Sequence, residues 1–148
     1  MQLKFTRALQ THYHAIDRVM TGAFTPYVSK LGNGPIAGPY PWLEAAIIAG
    51  DVYVAIDGTN VVGVIATTRL QNALDIDQLG VDPERQGEGI GSWMLTEIEP
   101  IARSQNAYVL SLQTAEMMPD LLRFYRHHGY EIARKGPPAH GDDDHTRV

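Results

Sequence analysis

The stretch QGEGIGSWMLTEIE, Gln86 to Glu99, sets three glycines at alternate positions and then continues with the apolar spacing of a helix. Glycines let backbone amides approach a ligand closely, and the positive end of a helix dipole behind them favours an anion. The stretch therefore predicts a loop and a helix start that bind a phosphate group.

Two common phosphate motifs do not fit this stretch. A Walker loop requires a lysine after its last glycine, and residues 31–134 contain no lysine. The dinucleotide fingerprint fails because Ser92 and Met94 stand where its third glycine would be. What remains is the pattern Gln-x-x-Gly-x-Gly over residues 86–91.

The segment before the loop, LDIDQLGV, has the alternation of a strand with one irregularity. Leu74 and Ile76 share one parity, whereas Leu79 and Val81 share the other. A β-bulge inserts one extra residue and re-aims the strand beyond it, so we predict a bulge at about residues 78–80. The alternative is a strand buried on both faces, for which parity carries little information.

The rest of the chain alternates strands and helices. Apolar spacing predicts a short first strand, then a helix from about Tyr13 with a possible cap at Thr11. The remaining predicted elements are a Gly/Pro-rich loop at 31–42, a short helix at 42–49, a hairpin of 51–56 with 60–70 through DGTN, a strand at 107–114, a helix at 118–128 and strands at 130–135 and 145–148.

Composition bounds the class of protein. The chain has 148 residues, 44% of them hydrophobic, which fits one globular domain over residues 1–148. It has no cysteine, so thiolate metal sites and cysteine nucleophiles are excluded. A net charge of −5 without a basic run argues against a nucleic-acid partner. The lack of a long apolar run and of an export signal argues against a membrane partner and predicts a cytoplasmic protein.

Two segments together resemble the GNAT superfamily of acyl-CoA-dependent N-acetyltransferases. LGVDPERQGEGIGSWMLTEIE is similar to the family's cofactor motif, and LLRFYRHHGYE is similar to its downstream helix-to-strand segment. The resemblance implies an α+β (α/β) fold with a mixed, mostly antiparallel sheet of about six to seven strands, flanked by helices and with a bulged fourth strand. It implies acetyl-CoA as co-substrate, with no metal.

The resemblance also implies which residues hold the cofactor. Amides of residues 86–91 would cradle the pyrophosphate, while main-chain groups of Leu79 and Val81 would pair with pantetheine like an added strand. Arg85 would reach a CoA phosphate or remain a solvated loop arginine. Met118 departs from the asparagine that is common at its position. The implied cofactor-binding residues are Leu79, Gly80, Val81, Arg85, Gln86, Gly87, Glu88, Gly89, Ile90, Gly91, Ser92 and Met118.

The chemistry requires a base for the amine and an acid for the departing thiolate. Tyr125 matches the family tyrosine that serves as this acid. Without the resemblance, its position among apolar helix residues would predict a core aromatic side chain. Asp75 and Asp77 are the candidate bases, with ion-paired surface aspartates as the alternative. Without a cysteine to carry the acyl group, direct attack in a ternary complex is the simpler route.

The acceptor is predicted only as a class. Tyr27, Tyr40 and Trp42 lie in or beside the segment that borders the acceptor site in the family, which favours a small-molecule or peptide amine. A catalytically silent acyl-CoA-binding module and an unrelated nucleotide-binding domain remain as alternatives. HGDDDH invites a metal interpretation, but acidic loop runs are usually solvated. A last strand completed by a partner subunit would make a homodimer.

Overall fold

The computed structural model describes residues 2–30, 40–112 and 119–132. Several predicted features lie outside these residues: the loop over 31–39, Met118, the HGDDDH run and the strand at 145–148. Within them the order of elements is the predicted one.

Each described element begins and ends close to its signal in the sequence. The strands are β1 (Leu3–Arg7), β2 (Val52–Asp57), β3 (Asn60–Arg69), β4 (Ala73–Val81) and β5 (Val109–Leu112). The helices are α1 (Tyr13–Lys30), α2 (Leu43–Ala49), α3 (Ile90–Ser104) and α4 (Pro119–His127), with 3-10 turns at Gln10–His12 and Pro83–Arg85.

The five strands form one sheet in the order β1-β2-β3-β4-β5. The first three pairings are antiparallel and β4 pairs with β5 in parallel. The mixed, mostly antiparallel α+β fold is therefore confirmed. The predicted count of six to seven strands is too high for the described residues, because 130–132 form no strand where one was predicted to begin.

The predicted bulge is present, slightly earlier than expected. Ala66 pairs with Gln78 and Thr67 with Ile76, so Asp77 is the extra residue of β4. The bulge lets Leu74 and Ile76 before it, and Leu79 and Val81 after it, contact the same apolar cluster. A second register shift lies between β2 and β3, beside Ala55 and Ile56.

The sheet has two apolar faces, each covered by helices. The α3 face buries Ile65, Leu74 and Ile76 against α3, with α4 residues packed at its margin. The α1 face buries Val54, Val64 and Ala66 against α1 and α2. Helices therefore cover both faces of the sheet.

The predicted cap at Thr11 is wrong. The chain forms a 3-10 turn at Gln10–His12, whose N-cap is Leu9, before α1 begins at Tyr13. The amide of Leu9 donates to Nδ1 of His12 at 3.0 Å. A histidine ring therefore accepts from the N-cap amide of this turn, and Thr11 lies within the turn instead of capping α1.

Candidate functional site: an open strand edge and a glycine loop

The glycine loop follows β4 through the 3-10 turn Pro83–Arg85. The carboxylate of Asp82 accepts a hydrogen bond from the amide of Glu84 at 3.0 Å, which fixes the entry to the turn. Gly87 and Gly89 have φ values of +84° and +85°. A Cβ atom at either position would meet no atom within 4 Å, so the loop backbone is open on that side. These are the conditions for backbone amides to contact an anion.

Helix α3 begins directly at the end of this loop, with Gly89 as its N-cap. Its first residue, Ile90, is buried in the cluster of the α3 face. A Cβ at Gly91 would lie 3.4 Å from the ring of Phe124 on α4. The first turn of α3 is therefore anchored to the core while its free amides point along the helix axis towards the loop.

The second half of β4 has an open edge. The β4–β5 ladder runs only from Ala73–Val109 to Ile76–Leu112. Among the described residues, no strand pairs with residues 77–81 on that side. In the described part of the chain, the sheet therefore has a gap that begins at the bulge and ends at the glycine loop.

Hydrogen-bond alternation shows which main-chain groups face the gap. The amide of Asp82 donates to the carbonyl of Val62 at 2.9 Å, and Val81 pairs with Gly63. Because bonding alternates along an antiparallel ladder, Gly80 bonds towards β3 while Leu79 and Val81 direct their groups to the open edge. The side-chain amide of Gln86 lies 3.3 Å from the carbonyl of Val81, to which it donates.

Gly80 faces α1 at close range on the other face of β4. A Cβ at Gly80 would lie 3.3 Å from the Cβ of Ala23 and 3.5 Å from the ring of Phe24. Helix α1 therefore packs directly on the β4 backbone beside the open edge. This close approach gives Gly80 a packing role as well as its predicted place in the cofactor motif.

Tyr125 lies on α4, against the α3 face. Its ring makes edge contacts with Phe124 at a centroid distance of 5.1 Å and with Tyr130 at 5.7 Å. The amide of Tyr130 donates to the carbonyl of Tyr125 at 3.0 Å, which closes the end of the helix. Burial, with the nearby charge of Glu99 as a second cause, raises the pKa of Tyr130 to about 12.

Asp75 and Asp77 lie on the opposite face of the sheet from Leu74 and Ile76. Asp75 accepts a hydrogen bond from the hydroxyl of Ser111 on β5 at 2.7 Å. Asp77 accepts one from the hydroxyl of Thr68, the residue that pairs with Asp75 across the ladder. The predicted placement of both carboxylates on one face is consistent with these contacts. Asp75 lies inside the β4–β5 ladder, whereas Asp77 lies at the start of the gap.

Arg85 is held by two carboxylates. Its Nε donates to both carboxylate oxygens of Glu88, at 3.0 and 3.1 Å, and its Nη2 donates to Asp57 at 2.9 Å. Hydrogen bonds to Asp57 and then to Glu88 raise the pKa of the guanidinium above its ordinary value. The sequence offered Arg85 as a phosphate ligand or a solvated arginine, and did not show this network, which joins residues 28 positions apart.

The family model "Acetyltransferase (GNAT) domain" matches residues 49–132, more than half of the chain. The matched part includes β4, the open edge, the glycine loop and α4. This chain belongs to the GNAT acetyltransferase family. A search of curated proteins found no match.

Solved structures share the GNAT fold. Ard1 from Thermoplasma volcanium matches with a TM-score of 0.77 and 15% identity over 98% of this chain and 95% of that chain. Naa50 from Arabidopsis thaliana, in complex with the bisubstrate analogue CoA-Ac-MVNAL, matches with 0.74 and 20% identity over 99% and 97%. The PaiA N-acetyltransferase from Thermoplasma acidophilum, in complex with coenzyme A, matches with 0.70 and 13% identity over 99% and 98%. At these identities the likeness shows the fold.

The predicted acceptor residues of this GNAT domain are only partly described. Tyr27 belongs to α1, and Tyr40 and Trp42 precede α2. The hydroxyls of Tyr40 and Thr21 lie 3.1 Å apart, and the rings of Tyr40 and Trp42 are 5.9 Å apart. Tyr40 thus joins α1 to the start of α2, and Trp42 remains 39% exposed.

One contact in the GNAT site was not predicted. Ser92 lies in the first turn of α3, and its hydroxyl is 2.8 Å from Nε2 of His128 at the end of α4. At this end of α4, the imidazoles of His127 and His128 also suit the negative end of the helix dipole. No local spacing pattern could have found a pair separated by 36 positions.

Two further features concern metals and membranes. In the part of the chain that the structure describes, no group of three or more His, Asp or Glu side chains could hold a metal ion. Within the same residues, no helix is long and apolar enough to cross a bilayer.

Proposed function

We propose that this GNAT domain transfers an acetyl group from acetyl-CoA to an amine in a ternary complex. The observation that carries the proposal is the edge of β4 that no other described strand pairs with, where Leu79 and Val81 direct main-chain groups away from β3 and towards the glycine loop. An extended chain with amides can pair with such an edge like an added strand. A phosphate at its end would meet the loop and the N-terminus of α3.

The cofactor supplies an acyl thioester, and the residues of this chain bind and orient it. In this proposal, amides of Gln86 to Gly91 bind the pyrophosphate, and Leu79 and Val81 align the pantetheine. Met118 lies outside the described residues, and we propose it as a cofactor-binding residue on the family resemblance alone. In this proposal, Tyr125 from the α3 face and an aspartate from the other face of the sheet act on one reacting centre.

Tyr125 acts as the general acid in this proposal. A phenol has an ordinary pKa near 10 and is protonated at neutral pH, so it can donate a proton to a sulfur as the C–S bond breaks. The amine nitrogen forms the new C–N bond and gives up one proton to a base. The proton lost by nitrogen and the proton gained by sulfur balance the reaction.

We assign the base to Asp77, acting directly or through a water molecule. Asp77 is the bulged residue at the start of the gap, whereas Asp75 lies inside the ladder and is held by Ser111. Asp77→Asn should lower kcat by about 10²-fold or more, while Asp75→Asn should lower it less. Equal losses, or the larger loss at Asp75, would contradict this assignment.

The acceptor class to test first is a peptide N-terminus. The bound analogue of the Arabidopsis relative joins CoA to a peptide, which supports this choice. Exposed Trp42 and partly buried Tyr40 offer apolar surface, and the net charge of −5 favours a cationic acceptor.

The deciding experiment measures thiol release from acetyl-CoA with a panel of peptides, polyamines, amino acids and aminoglycosides. Acceptor-dependent release supports the enzyme. CoA binding without turnover across the whole panel would favour a silent acyl-CoA-binding module. Competition by ATP or NAD at an affinity comparable to that of CoA would instead indicate a general nucleotide-binding domain.

A further inference from the structure

The glycine loop carries a carboxylate at its centre. Glu88 stands between Gly87 and Gly89, whose backbones are open on the side where a Cβ would lie. Its carboxylate is bonded through both oxygens to Nε of Arg85. The one cation beside the loop in this network is therefore already paired with an acid from the loop itself.

The charges of this network do not favour an anion. Arg85 contributes one positive charge, while Asp57 and Glu88 contribute one negative charge each. The sum is −1 next to the loop that would receive a phosphate. A charge of the same sign a few ångströms away opposes binding, and salt screens it only partly at that range.

The two carboxylates are not equivalent. The side chain of Asp57, at the end of β2, is 30% exposed, whereas the side chain of Glu88, in the loop, is 40% exposed. Exposed ion pairs between residues three positions apart are weak. Glu88 is thus the partner that Arg85 can release at least cost.

We propose that a phosphate group of the cofactor displaces Glu88 from Arg85, while Asp57 keeps the guanidinium in place. This inference rests on the proposed function, and it makes Glu88 an internal competitor for the phosphate-binding cation. Guanidinium groups bind phosphate through paired hydrogen bonds, as they bind carboxylate. The exchange replaces one oxygen pair with another and needs no movement of the β2–β3 hairpin.

The test compares CoA affinity in wild type and four folded variants by calorimetry at one fixed salt concentration. Glu88→Gln should bind CoA about three- to tenfold more tightly than wild type, because the competing charge is gone. Glu84→Gln is the matched control, since Glu84 lies in the adjoining turn and is not one of the two carboxylates that hold Arg85. It should change affinity by less than about twofold.

Arg85→Gln should weaken CoA binding, and adding Glu88→Gln to it should restore little. This double variant separates exchange at Arg85 from simple removal of a negative charge. If Glu88→Gln increases CoA affinity in the Arg85→Gln background as much as it does in wild type, the proposed exchange is wrong. A Glu88→Gln protein that binds CoA no more tightly than Glu84→Gln also overturns it.

A parallel series with 3′-dephospho-CoA identifies the phosphate. If Glu88→Gln also binds 3′-dephospho-CoA more tightly than wild type does, Arg85 contacts the pyrophosphate. If this increase in affinity disappears, Arg85 contacts the 3′-phosphate. Either result supports the exchange. Wild-type protein that binds no CoA would overturn the proposed function and this inference together. If wild type binds CoA and Glu88→Gln does not change the affinity, this inference alone is overturned.

Discussion

The hydroxyl of Ser92 lies 2.8 Å from Nε2 of His128, and this hydrogen bond joins the first turn of α3 to the end of α4. Ser92 follows the glycine loop, and His128 is three residues after Tyr125. The amide of His128 also donates to the carbonyl of Tyr125 at 3.0 Å. One side-chain contact therefore relates the proposed phosphate site to the helix that carries the proposed acid.

We expect this contact to contribute measurably to stability. In a double-mutant cycle of Ser92→Ala and His128→Phe, the coupling free energy should be about 0.5–1.5 kcal/mol, which is the range expected for a partly buried neutral hydrogen bond. Phenylalanine keeps a ring beside Phe124, and urea unfolding gives the free energies. The control cycle uses Ser104→Ala, because the hydroxyl of Ser104 donates to the local carbonyl of Ile101 and not to His128. A Ser92–His128 coupling as small as the control would contradict the assignment.

Tyr125→Phe separates acid catalysis from packing. Phenylalanine keeps the ring contacts, so stability should fall by at most ~1–1.5 kcal/mol. If the phenol protonates sulfur, kcat should fall about 10²- to 10⁴-fold with little change in acetyl-CoA binding. Tyr130→Phe is the control, because it removes a neighbouring hydroxyl and should leave kcat unchanged. Full kcat in Tyr125→Phe, where chemistry limits the rate, would remove Tyr125 from the mechanism.

Tyr130 should make stability depend on pH in the alkaline range. Its pKa is about 12 in the folded protein, against an ordinary value near 10. The folded state holds the phenol proton more tightly, so this contribution is complete below pH 10 and is lost as the pH rises towards 12. Urea unfolding at pH 9 and pH 11 should show a larger loss for wild type than for Tyr130→Phe. Parallel losses would show that burial does not protect this phenol.

Gly89→Asp should weaken CoA binding by at least about tenfold without unfolding the protein. Gly89 has φ of +85°, so a side chain costs about 1 kcal/mol or more in strain, and its carboxylate would face the phosphate. Gly50→Asp is a matched control at φ of +81° beyond α2, at the other end of β2. It should cost similar stability and leave CoA affinity unchanged. Unchanged affinity in folded Gly89→Asp would refute the loop assignment.

Local pattern was sufficient to predict most elements of this fold. The β2–β3 hairpin and α3 follow directly from alternation, turn residues and helical spacing. The bulge was predicted from parity, but one residue late. The alternation of apolar residues shows that the pattern resumes at Leu79. It does not show which of the preceding polar residues is the unpaired one. The register places the extra residue at Asp77.

Long-range polar contacts could not be predicted in the same way. Arg85 with Asp57, and Ser92 with His128, join segments 28 and 36 positions apart. Sequence periodicity does not reveal such pairs, because the partners of these polar side chains depend on how the β2–β3 hairpin and α4 pack against the rest of the domain. The chemistry of the candidate site was suggested by motif resemblance, whereas the pairing of its charges required the structure.

The bulge at Asp77 also constrains how this domain can change in length. Removing the extra residue, Asp77, would join Ile76 to Gln78 and restore a regular ladder with β3. Leu74, Ile76, Leu79 and Val81 would then alternate without interruption and keep their side towards α3. Removing Gly80 would instead turn the residues on one side of the deletion to the wrong face of the sheet. A library of one-residue deletions across residues 73–81 should therefore find that folding tolerates the loss of Asp77 better than the loss of Gly80.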